Sequence, residues 1–154
     1  MSNRVDPTLL LELQEYGAVG AEICFNCGTC TATCPLTSDD HLFPRNMIRL
    51  AQLGLRDEIM GSTDPWLCYY CGDCAESCPR QAEPGETMMA LRRWLTAQYD
   101  RSGHSAKMYR SSRRVFLAIA RLMLLTLAVF VIYHVATGFD RIVTDRVALN
   151  TFAP

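Results

Sequence analysis

All eight cysteines of this 154-residue chain lie in two short stretches, Cys24-Phe25-Asn26-Cys27-Gly28-Thr29-Cys30-Thr31-Ala32-Thr33-Cys34-Pro35 and Cys68-Tyr69-Tyr70-Cys71-Gly72-Asp73-Cys74-Ala75-Glu76-Ser77-Cys78-Pro79. Each reads C-x2-C-x2-C-x3-C-P, a run that ligates [4Fe–4S] clusters. The second copy is the first displaced by 44 positions, 24 to 68 and 34 to 78, with an aromatic residue after the first cysteine and a glycine after the second. A cubane offers four iron corners, each needing a thiolate, and three closely spaced cysteines can wrap one face of it. Gly28 and Gly72 permit the backbone geometry of such a loop. Pro35 and Pro79 remove a donor and fix φ just past the last ligand. Zinc sites take their ligands as separated pairs, which leaves the middle cysteine of each run without a role. Disulfides need an oxidising compartment, and no leader is expected at the N-terminus, where Arg4 and Asp6 interrupt any apolar stretch.

In two-cluster ferredoxins the fourth cysteine of one run serves the other run's cluster. That pattern assigns Cys24, Cys27, Cys30 and Cys78 to one [4Fe–4S] cluster, and Cys68, Cys71, Cys74 and Cys34 to a second. No general acid, nucleophile or substrate pocket stands out, so no catalytic residue is expected in the chain itself.

The elements that must position these cysteines read as helices. Asp6-Pro7 caps a short helix carrying Leu9, Leu10, Leu11 and Leu13, ended by Gly17 and Gly20 and expected to lie as a lid over the cluster region. A second helix starts at Pro44, places Met47, Ile48, Leu50, Ala51 and Leu53 at helical spacing and breaks at Gly54. Residues 55–60 add a further turn or two. Arg45, Arg49 and Arg56 fall on the wetter side, as a solvated face or as a surface for an acidic partner. Asp64-Pro65-Trp66 is another cap leading into Cys68. Pro84 opens a long helix to Tyr99, with Met88, Ala90, Leu91, Trp94 and Leu95 on one side and Arg92, Arg93 and Thr96 opposite. No alternating segment suggests a strand, so the fold class is all-α. A cluster domain over residues 1–105 is small for a self-sufficient core; metal binding would be coupled to its folding.

Composition is 49% hydrophobic with a formal net charge of −1, so no global basic field argues for nucleic acid. The apolar content is uneven. A basic stretch, residues 106–114 with Arg101 just ahead of it, precedes Val115–Ala136, whose 22 residues would reach about 33 Å as a helix, enough for one membrane crossing. The basic flank and the balanced far side (Asp140, Arg141, Asp145, Arg146) put the cluster domain on the cytoplasmic face of the cell inner membrane, with residues 137–154 as a short non-cytoplasmic tail. Arg121 is shallow enough to snorkel, or contacts a quinone, a lipid or a partner carboxylate. His134 is either an interfacial residue beside Tyr133 or a haem ligand needing a second histidine from another helix.

Together, the cysteine runs, the Phe43–Leu55 linker, Trp66-Leu67 ahead of Cys68 and the helix bearing Met88-Met89-Ala90-Leu91-Arg92-Arg93 resemble the C subunit of heterodisulfide reductase. They are also similar to the iron–sulfur portion of the C subunit of the quinone-interacting membrane-bound oxidoreductase. The resemblance covers roughly residues 20–100. It implies an α-helical ferredoxin domain like the C-terminal half of succinate dehydrogenase iron–sulfur subunits. It also implies a role as an electron-transfer subunit of a membrane-bound oxidoreductase complex in a respiratory chain. Such a subunit would relay electrons between a cytoplasmic flavoprotein or disulfide-reducing partner and a quinone or haem site on a membrane cytochrome or quinone-binding subunit. The soluble C subunit of heterodisulfide reductase has no span and the quinone-interacting relative has several, whereas this chain has one. The other readings are a membrane-tethered structural metal-binding scaffold and an iron–sulfur redox sensor.

Overall fold

A computed structural model describes residues 5–38 and 41–137. Among the described residues the chain is helical, with no β-strand and a single bridge between Ser38 and His41. It divides into two compact units, Met1–Arg110 and Ser111–Pro154.

In the first unit, α1 (Leu9–Glu15) follows an aspartate turn: the Asp6 carboxylate accepts the Thr8 backbone N–H at 3.0 Å and the Thr8 hydroxyl at 2.7 Å. The helix thus opens two residues beyond the proline expected in its first turn. A short 3-10 turn at Ala21–Ile23 precedes α2 (Thr29–Thr33). Helix α3 (Arg45–Leu53) stops at Gly54, whose φ of 70° suits a glycine and whose N–H bonds back to Ala51. A Cβ on Gly54 would collide with the main chain of Asp6, and the Asp6 N–H donates to the Gly54 carbonyl at 2.8 Å, so the approach needs glycine. Three short helices follow, α4 (Arg56–Gly61), α5 (Asp64–Leu67) and α6 (Asp73–Glu76), then the long α7 (Pro84–Tyr99) and α8 (His104–Tyr109).

The core is built where the periodicity placed it. Met88, Leu91, Trp94 and Leu95 of α7 are wholly buried against Leu9 and Leu13 of α1, Met47, Ile48 and Ala51 of α3, and Ile59 of α4. Helix α1 packs on α3 and α7, so the expected lid is instead part of the hydrophobic core. Of the three arginines expected on a solvated face, Arg49 is exposed, whereas Arg56 is not. Arg56 is half-buried, lies 5.0 Å from the Trp94 ring centroid, and pairs with Asp6 at 2.8 Å and Glu12 at 2.5 Å. The Thr8 hydroxyl, and after it the Arg56 guanidinium, hold the Asp6 carboxyl down at about 2. Arg93 donates to the Tyr16 carbonyl at 2.8 Å and so fastens the end of α1 to α7.

The second unit is α9 (Ser112–Thr137), which contains one stretch, Ser112–Ala136, long and apolar enough to cross a membrane. It begins three residues ahead of the span expected at Val115. Arg121 lies in a shallow groove with Leu117, Ala120, Leu124, Leu125 and Ala128. The His134 ring lies 4.2 Å from that of Phe130 and edge-on to Tyr133 at 5.9 Å. The tail beyond Thr137 lies outside the described residues.

Candidate metal centre

The sequence repeat is also a backbone repeat. Asn26 and Tyr70 are both left-handed at φ 59°, Gly28 and Gly72 both left-handed at φ 90° and 96°, and α2 and α6 both start at the next residue. Cys24 and Cys68 are extended, with ψ of 122° and 123°. Even the side-chain back-bonds match: Thr33 Oγ1 donates to the Thr29 carbonyl at 3.0 Å, and Ser77 Oγ to the Asp73 carbonyl at 2.7 Å. Asparagine adopts this conformation readily, but for tyrosine it costs on the order of 1–2 kcal/mol. Tyr70 is held there with its hydroxyl hydrogen-bonded to Glu86 on α7.

Cys34, Cys68, Cys71 and Cys74 line one small cavity, together with apolar and aromatic side chains that include Phe43, Tyr69 and Met88. Cys34 comes from the first run. It ends α2, its N–H still bonded to the Cys30 carbonyl at 3.1 Å, and turns to an extended ψ of 124°. Burial, and then the neighbouring thiols of Cys68, Cys30, Cys71 and Cys34, push the Cys74 thiol up to about 11. Burial likewise raises Cys34 and Cys30, with Cys24 and Cys27 adding to the effect at Cys30. Thiols packed so resist ionising together until a cationic centre offsets their charge, and loading the site releases their protons. A single tetrahedral zinc would draw four sulfurs to about 3.8 Å from one another, given Zn–S bonds of about 2.3 Å. Four thiols around one cavity are the donor set of an iron–sulfur cluster and fit such a group.

The first run brings Cys24, Cys27 and Cys30 close to one another. Cys78 is held within its own loop, where Ala82 donates its N–H to Cys78 Sγ at 3.4 Å. The backbone of Gln81 and Ala82 lies against Gly20, where an added Cβ would stand 3.1 Å from both. Helices α2 and α6 pack together, and Cys30 is among the thiols that raise Cys74, so the two loops adjoin. None of the eight cysteines forms a disulfide.

Two positioning side chains were not legible as such. Gln52, on α3, donates to the carbonyls of Ala21 and Cys24, both at 2.8 Å, and accepts from Asn26 at 2.7 Å. Arg92, on α7, donates to the carbonyls of Pro65 at 2.5 Å, Trp66 at 3.0 Å and Cys68. Each run therefore has its first cysteine's carbonyl fastened by a side chain from a core helix. The available signal was weak: Gln52 is a polar residue inside an apolar helix, and Arg92 looked merely exposed. Arg92→Ala leaves three carbonyls without their donor and should lower stability by on the order of 2–3 kcal/mol. It should also speed iron release from the second run, read by chelator-driven bleaching; Arg92→Lys, lacking the planar fork, restores only part of both.

Comparison with known proteins agrees with this geometry. A family described as "4Fe-4S dicluster domain" matches residues 20–82. A protein from Archaeoglobus profundus, named as similar to the C subunit of heterodisulfide reductase, is 38% identical over 88 residues, covering 56% of this chain and 47% of that protein. The C subunit of an H(2):CoB-CoM heterodisulfide,ferredoxin reductase from Methanothermobacter marburgensis is 37% identical over 62 residues, covering 40% of this chain and 34% of the relative. The iron–sulfur C subunit of a CoB–CoM heterodisulfide reductase from Methanopyrus kandleri is 34% identical over 66 residues, 43% of this chain and 32% of the relative. The chain thus spans half or less of the length of these relatives. Residues 20–82 match a 4Fe–4S dicluster domain, and the chain is similar to proteins named as the C subunit of heterodisulfide reductase or as similar to it.

Proposed function

We propose that the chain is the iron–sulfur electron-transfer subunit of a membrane-bound oxidoreductase complex. Two [4Fe–4S] clusters would sit in an α-helical ferredoxin domain, one on Cys24, Cys27, Cys30 and Cys78 and the other on Cys68, Cys71, Cys74 and Cys34. The observation that carries this is the cavity shared by Cys34 and the three closely spaced cysteines of the other run. When bound, such clusters accept and release single electrons without a proton or substrate at the iron. The chain's own residues then hold the thiolates, shield them with aromatic side chains and fix their spacing through Gln52 and Arg92.

The domain occupies residues 1–105, the basic stretch 106–114 adjoins the bilayer, and residues 115–136 span it once. The basic flank favours the cytoplasmic side of the inner membrane for the cysteines, with residues 137–154 on the other side. The names of the relatives, each pointing to a larger reductase, support a flavoprotein or heterodisulfide-reductase-like partner. The single span favours a second partner with a quinone or haem site in the membrane.

The test is iron, zinc and acid-labile sulfide per chain on anaerobically purified protein, with EPR of the dithionite-reduced sample. About eight irons and a spectrum of two interacting reduced cubanes are expected. About two zincs without sulfide would replace this reading with a tethered structural scaffold.

A further inference from the structure

The two runs share a backbone but not a charge. Thr29 and Asp73 are equivalent under the repeat, each opening the short helix directly after the left-handed glycine. Thr29 Oγ1 lies 3.3 Å from Cys27 Sγ, where the hydroxyl can donate once the sulfur is a thiolate. Asp73 lines the cavity of Cys34, Cys68, Cys71 and Cys74, and an ionised carboxylate only accepts. The Arg45 guanidinium covers Gly28, where a Cβ would stand 3.3 Å from its Nη1; a Cβ on Gly72 would meet nothing within 4 Å.

Neutral and remote groups do not reverse this contrast. Tyr69, beside Cys71, is neutral and brings no charge to the second run. Arg92 faces the carbonyl of Cys68, which offsets part of the Asp73 charge but leaves the second run without a net positive neighbour. Glu86 is engaged by Tyr70. At the two equivalent glycine turns the contrast is thus Arg45 over Gly28 and Asp73 after Gly72.

We infer that these side chains set the two sites apart in reduction potential: Arg45 makes the site on Cys24, Cys27 and Cys30 the easier to reduce, and Asp73 makes the site on Cys68, Cys71 and Cys74 the harder. Reduction adds one electron, makes and breaks no bond, and takes up no proton, so each site becomes one charge more negative. A fixed cation favours that change and a fixed anion opposes it, most strongly where burial lowers the dielectric. The chain thereby gives its relay a polarity, with the low-potential end at the second run. The inference rests on the reading that both runs carry clusters, and holds whichever distant cysteine is the fourth ligand.

The test is an EPR-monitored dithionite titration of the full chain in detergent. Wild type should give two midpoints. Arg45→Gln should lower the upper one, Arg45→Lys should keep it, and Thr29→Val should move that same midpoint down. Asp73→Asn should raise the lower midpoint alone. Each charge change should alter the reduction equilibrium on the order of tenfold, about 59 mV for one electron. Equal midpoints in wild type, or two midpoints indifferent to both Arg45→Gln and Asp73→Asn at full iron content, overturn the inference alone. Should Arg45→Gln lose iron, Asp73→Asn and Thr29→Val still decide it. Wild type lacking iron and sulfide would overturn the underlying reading as well.

Discussion

Substituting Cys30 and Cys34 together by alanine should strip the chain of nearly all its iron, whereas substituting Cys34 and Cys74 together should remove only about four irons of eight. Cys30 and Cys34 are one helical turn apart in the same run, yet the crossed assignment puts them in different thiol sets. Cys30 is grouped with Cys24 and Cys27, while Cys34 lines the cavity of Cys68, Cys71 and Cys74. Each lost ligand opens one cluster, so losses within one set do not add and losses across sets do. Cys34→Ala and Cys74→Ala should therefore abolish the same EPR component. Cys78→Ala should join Cys24→Ala in abolishing the other. Cys24, Cys34 and Cys68 also pack against the hydrophobic core, so cluster loss should loosen the surrounding helices, visible as reduced near-ultraviolet dichroism and faster proteolysis. If the Cys30 and Cys34 double variant keeps about half its iron, each run holds its own cluster and the crossed assignment fails.

The contrast between what the sequence disclosed and what it hid follows the range of the interactions. Helices α3 and α7 were legible because their cues are local: an apolar stripe at helical spacing, Gly54 at one end, Pro84 at the other. The cysteine loops were legible because ligand spacing is itself a local constraint. The arginines were not. Arg56 reads as a surface charge until Asp6 and Glu12, some fifty residues away, fold onto it, and Arg92 until the chain around Cys68 returns to α7. A local window sees the charge and not the partner. The same limit made α1 look like a cover: its leucines show that a face is buried, not that Trp94 and Ile48 bury it. Tyr70 is the inverse case. Its residue type argues against a left-handed backbone, and only its equivalence to Asn26 in the repeat points there.

Ending the chain after Arg110 should move the protein from the membrane fraction to the soluble fraction without changing its iron per chain. The full chain should survive a carbonate wash in the membrane pellet and leave it only with detergent. Helix α9 supplies the reason. Its candidate span Ser112–Ala136 has 25 residues and a mean hydropathy of 2.7, and at 1.5 Å per residue reaches about 37 Å, beyond a hydrocarbon core of about 30 Å. No part of its most apolar window is buried, and Leu124 and Val135 are 71% and 79% exposed. A helix apolar on all sides needs either a protein interior or lipid. The core of the first unit draws on residues 9–97 and none beyond, so truncation at Arg110 removes nothing that this core contains. A charge at mid-span gives an independent reading: Leu124→Asp should cost on the order of 2.5–3.5 kcal/mol of insertion free energy and weaken membrane retention, while Arg121→Leu should strengthen it. A truncated chain that still pellets with membranes would place the membrane contact on the cluster unit, and the span would then not be the anchor.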